Sequence, residues 1–251
     1  MRPTRAWIAL GLALYLLGLI VLAPAALVAR ALEVGSGGRL RAQAVEGGLW
    51  RGAIGRLQWS QPAAATPLGR LEWRWQPQAL LRARLAWSVR LKAPGWGLSA
   101  HLGRSPSGLS VEGLRGEAPA WLLGRLLPAL SLVHPEGTLR LQADSLRLAQ
   151  TQGEGQLSID WLQARSALVR APLGSYRLQA QARPEGGVRL VLTTLHGPLQ
   201  AQGEGLWRWG GGFEFQATLQ PPAAQALDYA PALRLLARPD AGGVYRLQWR
   251  S

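Results

Sequence analysis

The sequence predicts a mainly β protein: one N-terminal transmembrane helix, then a curved antiparallel sheet, open or half-barrel, made of two repeated halves. Three observations carry this prediction. Residues 6–29 hold no charge. Beyond residue 46 apolar and polar side chains alternate with a period of two, the spacing of a strand with one buried face. Several short segments also recur in order at an offset near 105 residues, the mark of an internal repeat.

The N-terminal run Ala6–Ala29, read as a helix, is about 36 Å long and long enough to span a hydrocarbon core. Arg2 and Arg5 precede it, Arg30 follows it, Trp7 suits the headgroup boundary, and Pro24 lies near its far end. Ala23-Pro24-Ala25 and Ala29-Arg30-Ala31 resemble signal-peptide cleavage sites, but the run exceeds a signal core and favours an uncleaved anchor over residues 1–30. No later segment approaches membrane length, so a single span is expected. The basic-residue count does not set its orientation, because Arg30, Arg39 and Arg41 lie beyond it.

The strands follow from the alternation. Leu71, Trp73 and Trp75 interleave with Arg70, Glu72 and Arg74, and Leu85, Trp87, Val89 and Leu91 with Arg84, Ser88, Arg90 and Lys92. Tyr176–Arg183, Phe213–Gln220 and Tyr245–Arg250 repeat the pattern. Such strands build an antiparallel sheet with one wet face. Glycine clusters at Gly47-Gly48, Gly153-Glu154-Gly155, Gly186-Gly187, Gly203-Glu204-Gly205, Gly210-Gly211-Gly212 and Gly242-Gly243 read as turns. None has the spacing of a phosphate-binding loop. Two stretches break the pattern and read as short amphipathic helices near 117–130 and 223–236. Pro67-Leu68-Gly69 recurs as Pro172-Leu173-Gly174, and Pro135–Leu141 is echoed by Pro239–Leu247. A first repeat over 31–134 and a second over 135–251 follow.

The inventory of chemical groups points away from catalysis. There is no cysteine and no asparagine, and His101, His134 and His196 lack spaced partners. Acidic residues such as Glu46, Glu72, Glu112, Asp144, Asp160 and Glu214 stand singly, and no Gly-x-Ser-x-Gly elbow occurs. No catalytic, cofactor or metal residue is expected, and the chain is read as a non-enzyme. The net charge of +14 comes almost wholly from arginine, with Lys92 the sole lysine, and is dispersed rather than gathered in a run. The 12 tryptophans read mainly as packing for a sheet face, with an apolar groove for an acyl chain as the alternative and no nucleic acid as partner.

An ordered set of segments resembles the type II secretion system protein N family (general secretion pathway protein N). It comprises the N-terminal anchor, Glu46-Gly47-Gly48-Leu49-Trp50-Arg51-Gly52, Gly55-Arg56-Leu57-Gln58-Trp59, and the Pro67-Leu68-Gly69 strand with Trp73 and Trp75. Pro77-Gln78-Ala79-Leu80-Leu81 and the second Pro172-Leu173-Gly174 complete it. The resemblance implies a single-pass bacterial inner-membrane protein with a cytoplasmic N-terminus and a periplasmic β domain. It implies an accessory or structural part in exporting folded proteins across the outer membrane, beside other inner-membrane or periplasmic components of the machine. A periplasmic lipid-binding or lipid-transfer module, its apolar groove formed by a curved sheet, is the alternative function.

Overall fold

A computed structural model of the chain describes residues 3–61, 64–126, 128–149, 152–183, 186–209, 211–240 and 242–250. The chain divides into two compact units, Met1–Gly95 and Trp96–Ser251. Within each, antiparallel strands of an open sheet pair in the order of the chain.

Unit one holds helices α1 (Pro3–Val21) and α2 (Ala26–Gly35) and strands β1 (Leu40–Gly47), β2 (Arg51–Gln61), β3 (Ala64–Trp75) and β4 (Leu85–Ala93). A 3-10 turn, Pro77–Arg82, joins β3 to β4. The alternation lands as predicted. Ile54 stands opposite Leu71, Leu71 opposite Leu91, and Trp73 opposite Val89, all on one face. Arg70, Glu72 and Arg74 lie on the other, against Lys92, Arg90 and Ser88. α2 packs on the apolar face, where Ala25 and Ala29 join Ile54, Leu57 and Trp73 in the core.

The uncharged run Ala6–Ala29 is therefore not one rod. α1 stops at Val21, and among the described residues no helix is long and apolar enough to cross a membrane. The cause is local. Pro24 has no N–H to continue the helix. The Ala23 carbonyl accepts the Leu49 N–H at 2.8 Å, and the Ala25 N–H donates to the Gly47 carbonyl at 3.1 Å. Residues 22–25 thus leave the helix to pair with the β1–β2 turn, Ala26–Ala29 open α2, and Ala25 and Ala29 are buried beneath the sheet.

Unit two holds β5 (Trp96–Ser105), β6 (Gly108–Pro119), β7 (Pro135–Leu148), β8 (Gly153–Ser166), β9 (Val169–Arg183), β10 (Gly187–His196), β11 (Gln200–Trp207), β12 (Phe213–Gln220) and β13 (Tyr245–Arg250). Short helices α3 (Trp121–Leu126) and α4 (Pro128–Ser131) lie between β6 and β7, and α5 (Ala226–Leu236) lies between β12 and β13. The helix expected at 117–130 starts late, because Glu117, Ala118 and Pro119 still pair with Arg140, Leu139 and Thr138 of β7. The helix expected at 223–236 forms as a 3-10 turn followed by α5. Its Tyr229, Ala232 and Leu233 pack against Leu173, Tyr176, Leu199 and Tyr245 on the sheet. The fully buried Tyr229 hydroxyl donates to the Pro172 carbonyl at 2.9 Å.

Gly203-Glu204-Gly205 is the middle of β11, not a turn. Its glycines fall on the apolar face, beneath the Phe215 ring. A Cβ at Gly205 would lie 2.6 Å from Phe215 Cδ2, and one at Gly203 3.1 Å from Phe215 Cζ. Gly52 plays the same part under Trp73. Aromatic rings lie flat across these neighbours, so strand positions that read as turn residues are sites of close approach.

The face assignment makes a direct prediction. Trp73→Arg puts a charge among buried apolar groups and costs several kcal/mol, about enough to unfold unit one. Arg74→Ala, one residue away on the exposed face, costs about 0.5 kcal/mol or less. Urea unfolding followed by tryptophan fluorescence separates the two; equal effects would contradict the assignment.

Candidate interaction surfaces

Each sheet presents a charged face, and antiparallel register decides which charges meet. In unit two Glu117 stands opposite Arg140, Arg140 opposite Asp160, and Asp160 opposite Arg177. The signs alternate across four strands, the favourable cross-strand arrangement. Arg140 Nε and Nη2 both donate to Glu117 Oε1 at 3.0 Å. Arg177 forms a two-pronged pair with Asp160, Nε to Oδ1 at 2.7 Å and Nη2 to Oδ2 at 2.8 Å. The Arg177 hydrogen bond holds the Asp160 carboxyl below its ordinary value, against the opposing pull of burial. Beside the pair lies a polar depression of about 350 Å³, lined by Arg140, Gln142, Ser158, Arg177 and Gln179 among others.

The charged face of unit one is more basic. Lys92 and Arg70 converge on Glu72, and the Lys92 hydrogen bond chiefly lowers the Glu72 carboxyl. Arg70 also reaches Glu46 at 3.7 Å. Arg51 stands directly opposite Arg74, and neither is paired with a carboxylate among the described residues. Glu46, Arg51, Arg70, Glu72 and Arg74 line a depression of about 570 Å³ with Arg90 and Ser88.

The apolar face of unit two is covered only in part. α5 shields Leu173, Tyr176, Leu199 and Ala201. Further along the same face the rows Leu141, Ile159, Leu178, Leu192 and Leu157, Ala180, Leu190 remain half-buried.

The groups weighed for chemistry are placed as follows. Ser175 and His196 meet, Oγ to Nε2 at 3.3 Å, a contact that sequence spacing did not signal. Ser175 is 1% exposed, and its Oγ accepts the Gln163 N–H at 3.1 Å. The serine therefore caps the bulge at Gln163, whose φ is +49°. His134 sits at φ +45° in the turn before β7, and His101 lies on β5. Among the described residues no group of three His, Asp or Glu side chains could hold a metal.

The Asp160–Arg177 pair sets a pH dependence. A depressed carboxyl stabilises the fold fully above its unfolded value, near 3.8, and loses that contribution as pH falls through the lower folded value. Arg177→Gln is expected to cost about 1 kcal/mol at neutral pH, the modest figure reflecting the exposure of Arg177. The difference from the parent protein shrinks as pH falls below 3.8 and through the lower folded value. A penalty independent of pH, measured by urea unfolding, would contradict this role.

With two sheets of one-sided strands in place, comparison with known proteins gives one result. Neither a curated protein nor a solved structure matches the chain significantly. A family model, type II secretion system (T2SS), protein N, matches residues 38–248, from just before β1 into β13. The matched span takes in both sheets, and the chain belongs to the type II secretion system protein N family.

Proposed function

We propose that the protein is a non-enzymatic structural component of type II secretion, seated at the bacterial inner membrane by α1 with both sheets in the periplasm. The family match carries this reading. The membrane seat draws on α1 itself. Trp7, Ile8, Leu12, Tyr15, Ile20 and Val21 are all more than half exposed, a spread that covers the whole circumference of the helix. At 1.5 Å per residue α1 is about 28 Å long, short of a hydrocarbon core of about 30 Å, so the seat rests on its all-round apolar surface and not on its length. The two charged faces are suited to contacts with other machine components through complementary charge. An internal duplication fits the local settings of the two Pro-Leu-Gly segments. Gly69 and Gly174 both adopt positive φ, +107° and +133°, where the register shifts between neighbouring strands.

Deleting the gene is expected to lower the amount of exoprotein reaching the medium, with the cargo retained in the periplasm, and plasmid-borne protein restores export. Unchanged export together with unchanged levels of the other components would overturn the reading.

A second reading rests on the open apolar rows of unit two. Leu157, Leu178 and Leu190 form a half-buried strip that could hold an acyl chain, making the protein a lipid-binding or lipid-transfer module. Native mass spectrometry of the detergent-purified chain separates the two. A retained phospholipid that Leu178→Glu removes supports the second reading; a lipid-free parent protein counts against it.

A further inference from the structure

Unit one gathers unusual exposure and charge at one end. The 3-10 turn Pro77–Arg82 carries Leu81 at 91% exposed and Leu80 at 49%. A single exposed leucine needs no explanation. Here two adjacent ones are followed by Arg82, also exposed, and Arg84. Register fixes where the turn lies. β3 leaves the sheet at Trp75 and β4 enters at Leu85, with Trp75 opposite Trp87. β1 passes to β2 at the same end, where Gly47 faces Gly52 and Arg51 faces Arg74.

The root of α1 is held at this end as well. Trp50 Nε1 donates to the Ile20 carbonyl at 3.0 Å, and the Leu49 N–H donates to Ala23. Leu22, just past α1, is 80% exposed. Arg51 and Arg74, both exposed, oppose each other without a neutralising acid among the described residues, an arrangement that costs stability unless an anion sits between them. One end of one rigid sheet thus combines an apolar helix root, two protruding leucines and a set of arginines.

We propose that this end of unit one is a second membrane contact, docking on the surface of the bilayer that α1 enters. Leu80 and Leu81 insert at the acyl boundary, and Arg82, Arg84, Arg51 and Arg74 bind the phosphates of anionic phospholipids. The inference rests on the membrane seat proposed for α1. It adds that the sheet is held against the lipid and does not swing from α1 as from a tether.

The chain contains no cysteine, so single sites can be labelled in the full-length protein. Leu81→Cys, Leu14→Cys and Ala65→Cys report on the leucine turn, on α1 and on the opposite end of the β2–β3 hairpin; all three positions are exposed. Each variant carries an environment-sensitive fluorophore and is reconstituted into phosphatidylcholine vesicles with or without phosphatidylglycerol, doped with spin-labelled lipid as quencher. The expected result is quenching at positions 14 and 81 and none at 65. Removing phosphatidylglycerol, or adding Arg82→Glu, lowers quenching at 81 several-fold and leaves 14 unchanged. Quenching at 14 with position 81 in water overturns the second contact while the α1 seat stands; the leucine turn would then be a protein-docking patch. Quenching at 81 with 14 in water supports the lipid contact and removes the α1 seat. Both positions in water overturn both.

Discussion

Two indole N–H groups converge on one short stretch of backbone and a third reaches out from beside it, and the architecture of unit one depends on them. Trp50 reaches the Ile20 carbonyl, Trp73 the carbonyls of Gly48 and Leu49 at 3.2 and 3.1 Å, and Trp87 that of Leu49 at 3.3 Å. Each bond is worth about 1 kcal/mol net. Together they fasten the β1–β2 turn to the strands and the end of α1 to the turn. The rings also supply apolar bulk, with Trp50 and Trp75 centroids 4.7 Å apart. The tryptophans therefore act both as packing and as backbone clamps, and the helix root inherits the stiffness of the sheet.

The second constraint is the pleat. A strand sends successive side chains to opposite faces, so one sequence writes two surfaces at once. In unit two the apolar surface is shared between α5 and the half-covered rows beyond it, and the polar surface is ordered into a ladder of alternating charge. Bulges interrupt the rule where a face must be re-aimed. Gln163 at φ +49° takes up an extra residue, and the register with β9 shifts there, so that Ala164 returns to the apolar side. The family places this two-faced design within type II secretion.

Much of this was legible beforehand, and the limits have physical causes. Clean alternation exposed β3, β4, β9, β12 and β13, because Trp73, Tyr176, Phe215 and Tyr245 all recur at period two and all are buried. β11 escaped notice, since its apolar-face positions are Gly203 and Gly205, chosen for the Phe215 ring and indistinguishable in sequence from a turn. β6 was obscured by Gly113 and Gly116 and by a helix pattern that begins while Glu117–Pro119 are still paired. The N-terminal run misled for a related reason. Alanine suits a bilayer helix and a packed core alike, so nothing local signalled that Ala25 and Ala29 lie beneath β2 and β3. The Ser175–His196 contact depends on residues brought together only by the β9–β10 pairing.

The two-faced strand is tested most directly by cysteine accessibility along β7. Single cysteines at positions 139, 140, 142 and 143 of the otherwise cysteine-free chain replace Leu139 and Ala143, both buried, and Arg140 and Gln142, both exposed. Rapid thiol labelling at 140 and 142, with labelling at 139 and 143 slower by about two orders of magnitude or more under native conditions, is the predicted result, since buried sites open only through local unfolding. Equal rates at all four positions, or fast labelling recurring every three to four residues, would contradict the account.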